Sequence, residues 1–463
     1  MEEDNEHLNS PHLELKKFKK QIEYIQKAAS EAQRRMDMAA AHNPETQLAI
    51  SVVESFLRKQ NRLCYGGQAI NAHLPNKYKF YDPNTNVPDY DFFTPNQEDD
   101  IVQLVKELRK SGFTEVSVRD GMHEGTVKVY VNFIPVADIT QIDASVYELL
   151  YKNRAVFDGI SYLDVNTLRM LMYLELSRPK GEVSRWEKVY ERLLLLNTFA
   201  DKVKCDMHKR RLADSIISDE EHQTVVDFII NQRRVFCGTD IIPYYRHSFS
   251  SGQRHHRNRW VFSKNRPLYF YSPDAKNDME ILKTMFKNQI GYKKFKVKKV
   301  EGLGGGDLIP PMYIFIRNRK HFLIIFQETA CHSYMSAPIS GKDTIRLASM
   351  DTLITLYLAL YLLKSKFVDL ASFECLAKEL IHISMDARAN PQNFVFPFIS
   401  IQCSGKQTSL PSLIRQKIQR LQKTKKRLLK LVEVSKTKNS KKEVSNNIKA
   451  GRINKTLRRR TNG

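Results

Sequence analysis

Apolar residues recur at helical spacing near the start of the chain. Leu15, Phe18, Ile22 and Ile25 stand among Lys, Glu, Gln and Ala, which predicts an amphipathic helix over residues 12–40. His42–Pro44 breaks the pattern, and Leu48, Val52, Val53, Phe56 and Leu57 resume it over 45–60. Both helices are expected to pack on the domain that follows, the alternative being a stripe kept for a partner. The period then shortens. Residues 62–65 read as a strand, Gly66–Gly67 as a turn and Gln68–Leu74 as a helix ending before Pro75. Residues 78–82 read as a short strand, Pro83–Pro88 as a loop and Asp89–Phe93 as another strand. A helix over 98–111 and a strand over 113–118 follow. Val127, Val129, Val131 and Phe133 alternate through 126–134, so this is a half-buried strand, continuing past Pro135 to Asp138. Residues 144–200 read as mostly helical, and the class is α+β.

At 463 residues the chain can bury a large core and is expected to form more than one domain. The longest apolar run, Leu353–Leu363, is too short to span a bilayer, and the acidic start MEEDNEHLNS is no signal peptide, so no membrane partner is expected. The six cysteines are scattered with no C-x-x-C pair, which argues against a zinc site or disulfide framework and suits a reducing compartment. The net charge of +23 is uneven: residues 411–463 hold 18 Lys or Arg against Glu433 and Glu443. Such a block suits RNA or DNA, and equally a solvated tail or localisation patch. Within it, 411–432 reads as a basic amphipathic helix whose near-heptad seam is broken by Lys425, and 436–463 as disordered.

The candidate chemistry lies in residues 63–93. Asp89 and Asp91 alternate along a strand and share a face, where two carboxylates can grip a pair of divalent cations, Mg²⁺ or Mn²⁺. Gly66 and Gly67 let backbone approach a triphosphate, and the helix start at Gln68 offers free amides to it. A lone Gly-Gly or D-x-D is common in loops; the order strand, Gly-Gly, helix, strand, Asp-x-Asp is what makes the signal specific. A two-metal site wants a third carboxylate on a neighbouring strand. Strand continuity favours Asp138, whereas Asp143 reads as a helix cap. Lys152, Arg154, Arg185 and Lys188 are candidate triphosphate contacts, Lys188 first among them. Tyr162 could stack on a base but sits in a core-like setting.

This layout is that of the nucleotidyltransferase superfamily, and three stretches narrow it. YGGQAIN, PDYDFFTPN and PVADIT resemble the poly(A) polymerase catalytic subunits of large nucleocytoplasmic DNA viruses (poxvirus, asfarvirus and mimivirus-like), the match being densest over 61–200. The 21 positions between Gly67 and Asp89 exceed the gap in most of the superfamily, and the viral branch carries such an insert. The resemblance implies a polymerase beta-like nucleotidyltransferase domain that adds AMP from ATP to RNA 3′ ends without a template, in viral mRNA polyadenylation. Asp89 and Asp91 would bind both metals, and Asp138 the catalytic one. RNA and ATP are the implied partners, with either a homodimer or a viral processivity subunit. The implied location is the host cytoplasm, at the viral factory, with packaging in the virion left open. Two alternatives stand beside this: a uridylyl- or CCA-type transferase, and a non-catalytic RNA-binding subunit.

From about residue 233 the chain repeats itself in order. RRVFCGTDIIPYY (233–245) echoes NRLCYGGQAINAHL (61–74), PLYFYSPD (267–274) echoes KYKFYDPN (77–84), KHFLIIFQET (320–329) echoes the strand leading to Asp138, and SMDTLITLYLALYLL (349–363) echoes DVNTLRMLMYLELSR (164–178). No Asp-x-Asp follows the second motif and Gly302–Gly306 is no P-loop, so this copy reads as degenerate. Its basic, aromatic stretch 244–271, with Tyr244, Tyr245, Arg246, Arg254, His255, His256, Arg257, Arg259 and Trp260, suits a single-strand contact or a surface loop. The expected organisation is a helical segment (1–60), a catalytic domain (61–200), a connector (201–232), a degenerate nucleotidyltransferase-like domain (233–410) and a basic helix and tail (411–463).

Overall fold

The computed structural model describes residues 11–82, 85–200, 216–250, 260–263, 266–290, 292–302, 308–339, 343–363, 370–389, 400–408, 411–412, 414–423 and 426. Two compact units are distinguished: residues 1–121 with 125–407, and 122–124 with 408–463. The first contains both β-sheets. In the second, 411–412, 414–423 and 426 are helical, with Ile414, Ile418 and Leu421 exposed. The rest of the basic tail lies outside the described residues.

Two helices lead in, α1 (Pro11–Ala41) and α2 (Pro44–Gln60). Asn43 caps α2 by accepting from the amides of Glu45 and Thr46, Pro44 presets its first turn, and Asn61 ends it in the left-handed region at φ 51°. Ala49, Ile50, Val53, Phe56 and Leu57 turn into the core. In α1 the stripe behaves otherwise than expected: Phe18, Ile22 and Ile25 are all exposed. Among the side chains described in α1, residues 18–41, only Ala41 at its end is buried.

The first sheet is built from β1 (Leu63–Tyr65), β2 (Tyr90–Thr94), β3 (Val116–Asp120), β4 (Thr126–Val131), β5 (Ile134–Gln141), β6 (Ala155–Phe157) and β7 (Ile160–Tyr162), in the order β3-β4-β5-β2-β1-β7-β6. Helices α3 (Gly66–Ala72), α4 (Gln97–Lys110), α5 (Ala144–Lys152), α6 (Val165–Leu176) and α7 (Trp186–Phe199) complete this half. Two expectations fail locally. Residues 78–82 join no strand: Asn71 Oδ1 accepts from the amides of Phe80 and Tyr81, so a side chain supplies what a ladder would. The strand expected to run from 126–134 on to Asp138 instead turns back at Asn132–Phe133, so β4 and β5 are antiparallel neighbours. The stretch 144–200 is mostly helical as expected, with the hairpin β6–β7 between its helices and Tyr162 buried within β7.

The second half holds α8 (Asp219–Asn231), β8 (Val235–Phe236), α9 (Ile241–Ser250), β9 (Leu268–Ser272), α10 (Ala275–Lys287), β10 (Lys296–Val300), β11 (Met312–Arg317), β12 (Lys320–Gln327), β13 (His332–Pro338), β14 (Thr344–Ala348), α11 (Met350–Leu363), α12 (Leu370–Ala389) and β15 (Cys403–Ser404). Its sheet runs β10-β11-β12-β9-β8-β14-β13-β15, the order of the first sheet with one strand added. Directions agree as well: β2–β5 and β9–β12 are parallel, as are β1–β7 and β8–β14. Arg62, just before β1, forks onto Asp100 in α4 at 2.7 and 2.8 Å, and Arg234, just before β8, forks onto Asp278 in α10 at the same distances. The hairpins β4–β5 and β11–β12 both turn through two left-handed residues, Asn132–Phe133 and Asn318–Arg319.

The register corrects one of the four echoes. Leu63 pairs with Phe93 as Val235 pairs with Tyr271, so β9 is the counterpart of β2 and not of 78–82. Pro267, Tyr269 and Ile324 therefore stand where the first half has Asp89, Asp91 and Asp138. The proposed single-strand stretch is also revised. Tyr245 and Trp260 are 1% and 3% exposed core residues, while Arg254, His255, His256, Arg257 and Arg259 lie outside the described residues. A further correction concerns cysteine: Cys331 and Cys403, 72 residues apart, form a disulfide, because β13 pairs with β15 and brings them side by side. Cys64 and Cys237 are free and buried. Among the described residues no helix is long and apolar enough to cross a membrane.

Candidate active site

Asp91 lies on β2 and Asp138 on β5, paired directly across a parallel ladder, with Asp89 two residues before Asp91. The alternation that buries Tyr90 and Phe92 turns the carboxylates to the opposite face. Asp138 is 7% exposed. Burial, with the nearby charge of Asp138 adding to it, raises Asp89 to about 6 against the relief of Lys128. Burial, then Asp89 and Asp138, raise Asp91 to about 7, against Lys128 and Arg192. Like charges crowded in a dry site disfavour joint ionisation.

The same face holds a lysine that the periodicity did not single out. Lys128 pairs with Asp138 across the β4–β5 ladder, and its ammonium makes an ion pair with Asp138 Oδ2. The signal was present: in the run Val127, Val129, Val131, Lys128 falls on the other face, the one Asp138 shares. Burial opposes the charge of Lys128, but the bond and charge of Asp138 outweigh it and raise its pKa.

Gly66 stands against Asp91. Its φ is +70°, and a Cβ there would overlap the Asp91 carboxylate, so the turn admits only glycine. A Cβ on Gly67 would lie 2.7 Å from Tyr81 Oη and 3.1 Å from Arg192 Nη1. Arg192 donates to Tyr81 Oη at 2.8 Å and stacks over Phe80. Gln68, in the first turn of α3, lines a cavity of about 310 Å³ together with Glu54, Asn71, Tyr81 and Tyr90.

Lys188 and Arg192 lie one turn apart on α7, and Arg185 just before it. The charge of Arg192, then burial and Arg185, lower the pKa of Lys188, while Asp91 opposes them. Lys188 thus stands within the field of Asp91, and Arg192 is the cation that sequence reasoning missed, four residues further along the same face. Arg185 pairs with Glu175 at 3.4 Å. Arg154 stacks over Tyr151, and Lys152 is exposed at the end of α5. Asp143 caps α5 by accepting from the Ser145 amide at 2.9 Å.

The donor set suits hard divalent cations. Asp89 Oδ1 and Asp138 Oδ1 are buried with no hydrogen-bond partner, which leaves oxygen lone pairs in a crowded anionic site. Among the described residues no three His, Cys, Asp or Glu side chains already form a ligating group, and Lys128 occupies one oxygen of Asp138.

Residues 51–182 match the family of the poly(A) polymerase catalytic subunit. A protein of Acanthamoeba polyphaga mimivirus carrying that family name is 30% identical over 221 residues, 45% of this chain and 37% of its own length. One from African swine fever virus is 33% identical over 117 residues, 24% of this chain and 25% of its own. The chain thus spans well under half the length of these relatives. The crystal structure of the Megavirus polyadenylate synthase is similar over 92% of this chain and 85% of that one, with a TM-score of 0.67 at 17% identity, which is a likeness of fold.

Proposed function

We propose, for a chain whose residues 51–182 belong to the poly(A) polymerase catalytic subunit family, that it is a template-independent polymerase adding AMP from ATP to RNA 3′ ends. The observation that carries this reading is the pairing of Asp91 with Asp138 across one ladder, with Asp89 two residues away and the Gly66 turn against Asp91. In the reaction the RNA 3′ oxygen bonds to the α-phosphorus, the α–β phosphoanhydride breaks, and pyrophosphate leaves. Asp89, Asp91 and Asp138 would hold two divalent cations, Mg²⁺ or Mn²⁺, which supply Lewis acidity to the attacking and departing oxygens. The hydroxyl proton passes to Asp138 or through it to solvent. Lys188 and Arg192 meet the negative charge of the triphosphate, and the Gly66–Gly67 turn lets it approach the backbone.

The half built on the second sheet is then a degenerate copy of the catalytic half. Its register supports this: Pro267, Tyr269 and Ile324 offer no carboxylate at the three metal-binding positions. The proposed setting is viral mRNA polyadenylation in the host cytoplasm, at the viral factory, with a homodimer or a processivity subunit as partner.

The test is an extension assay with a labelled single-stranded RNA primer, Mg²⁺ or Mn²⁺, and each NTP separately, beside an Asp89→Ala/Asp91→Ala variant. ATP-dependent extension that the variant lacks is the expected result. Extension with another nucleotide overturns the base assignment alone. Tight RNA binding without extension by any nucleotide overturns the catalytic reading.

A further inference from the structure

The internal repeat makes its own control, because each edge of one sheet can be compared with the matching edge of the other. β3 and β10 are the matching outermost strands, each following the helix after the second strand of its half. Over residues 107–120, leading into and through β3, three basic residues balance three acidic ones. Over 287–300, the equivalent stretch through β10, there are six lysines and no acid. Lys293, Lys294, Lys296, Lys298 and Lys299 are all exposed, Lys299 being paired with Glu301 just past the strand. The turn that follows β11 adds exposed Arg319 and Lys320 at the same end of the sheet.

Lysines on an edge strand commonly guard it against pairing with another chain. That need is the same at β3, where the fold meets it with a single arginine and a single aspartate. Edge protection therefore does not account for the charge at β10. The segment is also held in shape. Arg317 donates to the carbonyl of Lys293 at 2.9 Å and is paired with Glu221, both side chains 5% exposed. Tyr292, 41% exposed beside Phe295, adds an aromatic face to the lysine row.

We propose that the β10 edge is a docking surface for the phosphate backbone of single-stranded RNA, apart from the carboxylate site and serving to hold the body of the RNA whose 3′ end is extended. Charge complementarity names the occupant class, and the exposed tyrosine favours nucleic acid over a lipid headgroup layer. The inference rests on the RNA-extending reading above, so its test must fail separately from that reading.

The test compares full-length wild type with a Lys296→Glu/Lys298→Glu/Lys299→Glu variant, both checked for equal thermal unfolding. A neutral Lys296→Ala/Lys298→Ala/Lys299→Ala variant is the alternative where charge reversal harms folding. Binding is read by fluorescence anisotropy against labelled oligoadenylates of about 10 and about 40 nucleotides across a salt series. The longer RNA should lose at least about 10-fold in affinity with a log–log salt slope shallower by about 2, the shorter RNA and its extension staying unchanged. Unchanged affinity and slope for the longer RNA overturn the proposal. So does loss of binding to phosphatidylserine vesicles with RNA binding intact, which assigns the edge to a membrane surface. Loss of long-RNA binding in a protein that extends no primer leaves the surface standing and overturns the polymerase reading alone.

Discussion

Lys128 on β4 and Asp138 on β5 face each other across an antiparallel ladder, and the lysine ammonium is paired with one carboxylate oxygen. The lysine stands among three acids, and burial together with the neighbouring carboxylates raises the pKa of two of them, Asp89 and Asp91. Its positive charge stabilises them in the metal-free protein and competes for the oxygen that a cation needs. A Lys128→Met variant should lose stability on the order of 1–2 kcal/mol without metal, a charged hydrogen bond discounted for partial exposure. It should also bind Mn²⁺ more tightly. Thermal unfolding with and without Mn²⁺ reads both effects, and no change in either would show the pair to be incidental.

Arg192 and Lys188 make different predictions though they share a helix face. Arg192 is half-buried and fixed by Tyr81, whereas Lys188 is exposed and makes no hydrogen bond or ion pair among the described residues. Arg192→Ala should raise the KM for ATP by about 10-fold, the equivalent of about 1.4 kcal/mol, and Lys188→Ala by less. Tyr81→Phe, which removes only the bond that positions Arg192, should fall between wild type and Arg192→Ala. Equal KM values for all four proteins would remove this face from the triphosphate.

The raised pKa values of Asp89 and Asp91, about 6 and about 7, set a pH dependence with a definite sign. In the unfolded chain such groups release their protons near pH 3.9, in the folded protein only higher. Folding is therefore favoured at low pH by these two groups, and that contribution is lost as pH rises through about 4 to 7. Metal-free protein should show a falling Tm across this window. The two carboxylates titrate as a coupled set, so the slope belongs to the pair. An Asp89→Asn/Asp91→Asn variant should flatten the curve, and so should saturating Mg²⁺. A wild-type Tm that rises from pH 5 to 8, with the variant rising alike, would contradict the arrangement.

How much of this the sequence carried depended on whether a signal was local. The Gly66–Gly67 turn, the alternation of Asp89 with Asp91 and the cap at Asp143 are all set by near neighbours, and each was legible. Asp138 was reached by strand continuity, but the chain turns back at Asn132–Phe133, and Asp138 lies on the next strand, β5, beside both Lys128 and Asp91. Lys128 and Arg192 were passed over because their meaning depends on which strand or helix faces them. The echo of 267–274 was matched to 77–84 on shared tyrosines and phenylalanines, and only the pairing of Val235 with Tyr271 showed β2 to be its counterpart. Cys331 and Cys403 gave no motif, since their contact is made by β13 and β15, distant in sequence. The stripe of α1 was periodic in sequence and exposed in the fold, since periodicity says that a face exists and not what covers it.

The twin pairs Arg62–Asp100 and Arg234–Asp278 separate the demands of the fold from those of chemistry. Each arginine precedes the first strand of its half, and each aspartate lies in the first turn of the helix after the second strand. Asp100 and Asp278 are 2% and 1% exposed, so losing either leaves a partly buried guanidinium without its carboxylate. Removing one partner of a fully buried pair costs about 3–5 kcal/mol, and the partial exposure of these arginines puts the cost at or below the lower end of that range. Asp100→Ala and Asp278→Ala should thus destabilise the protein by similar amounts, although only the first lies in the half with the carboxylates. The costs should add in the double variant, because the pairs share no partner. Below their unfolding temperatures, both single variants should keep wild-type KM for ATP. Denaturant unfolding checks the first claim and steady-state kinetics the second. A large cost for Asp100→Ala with none for Asp278→Ala would mean that the second pair is a relic the fold no longer uses.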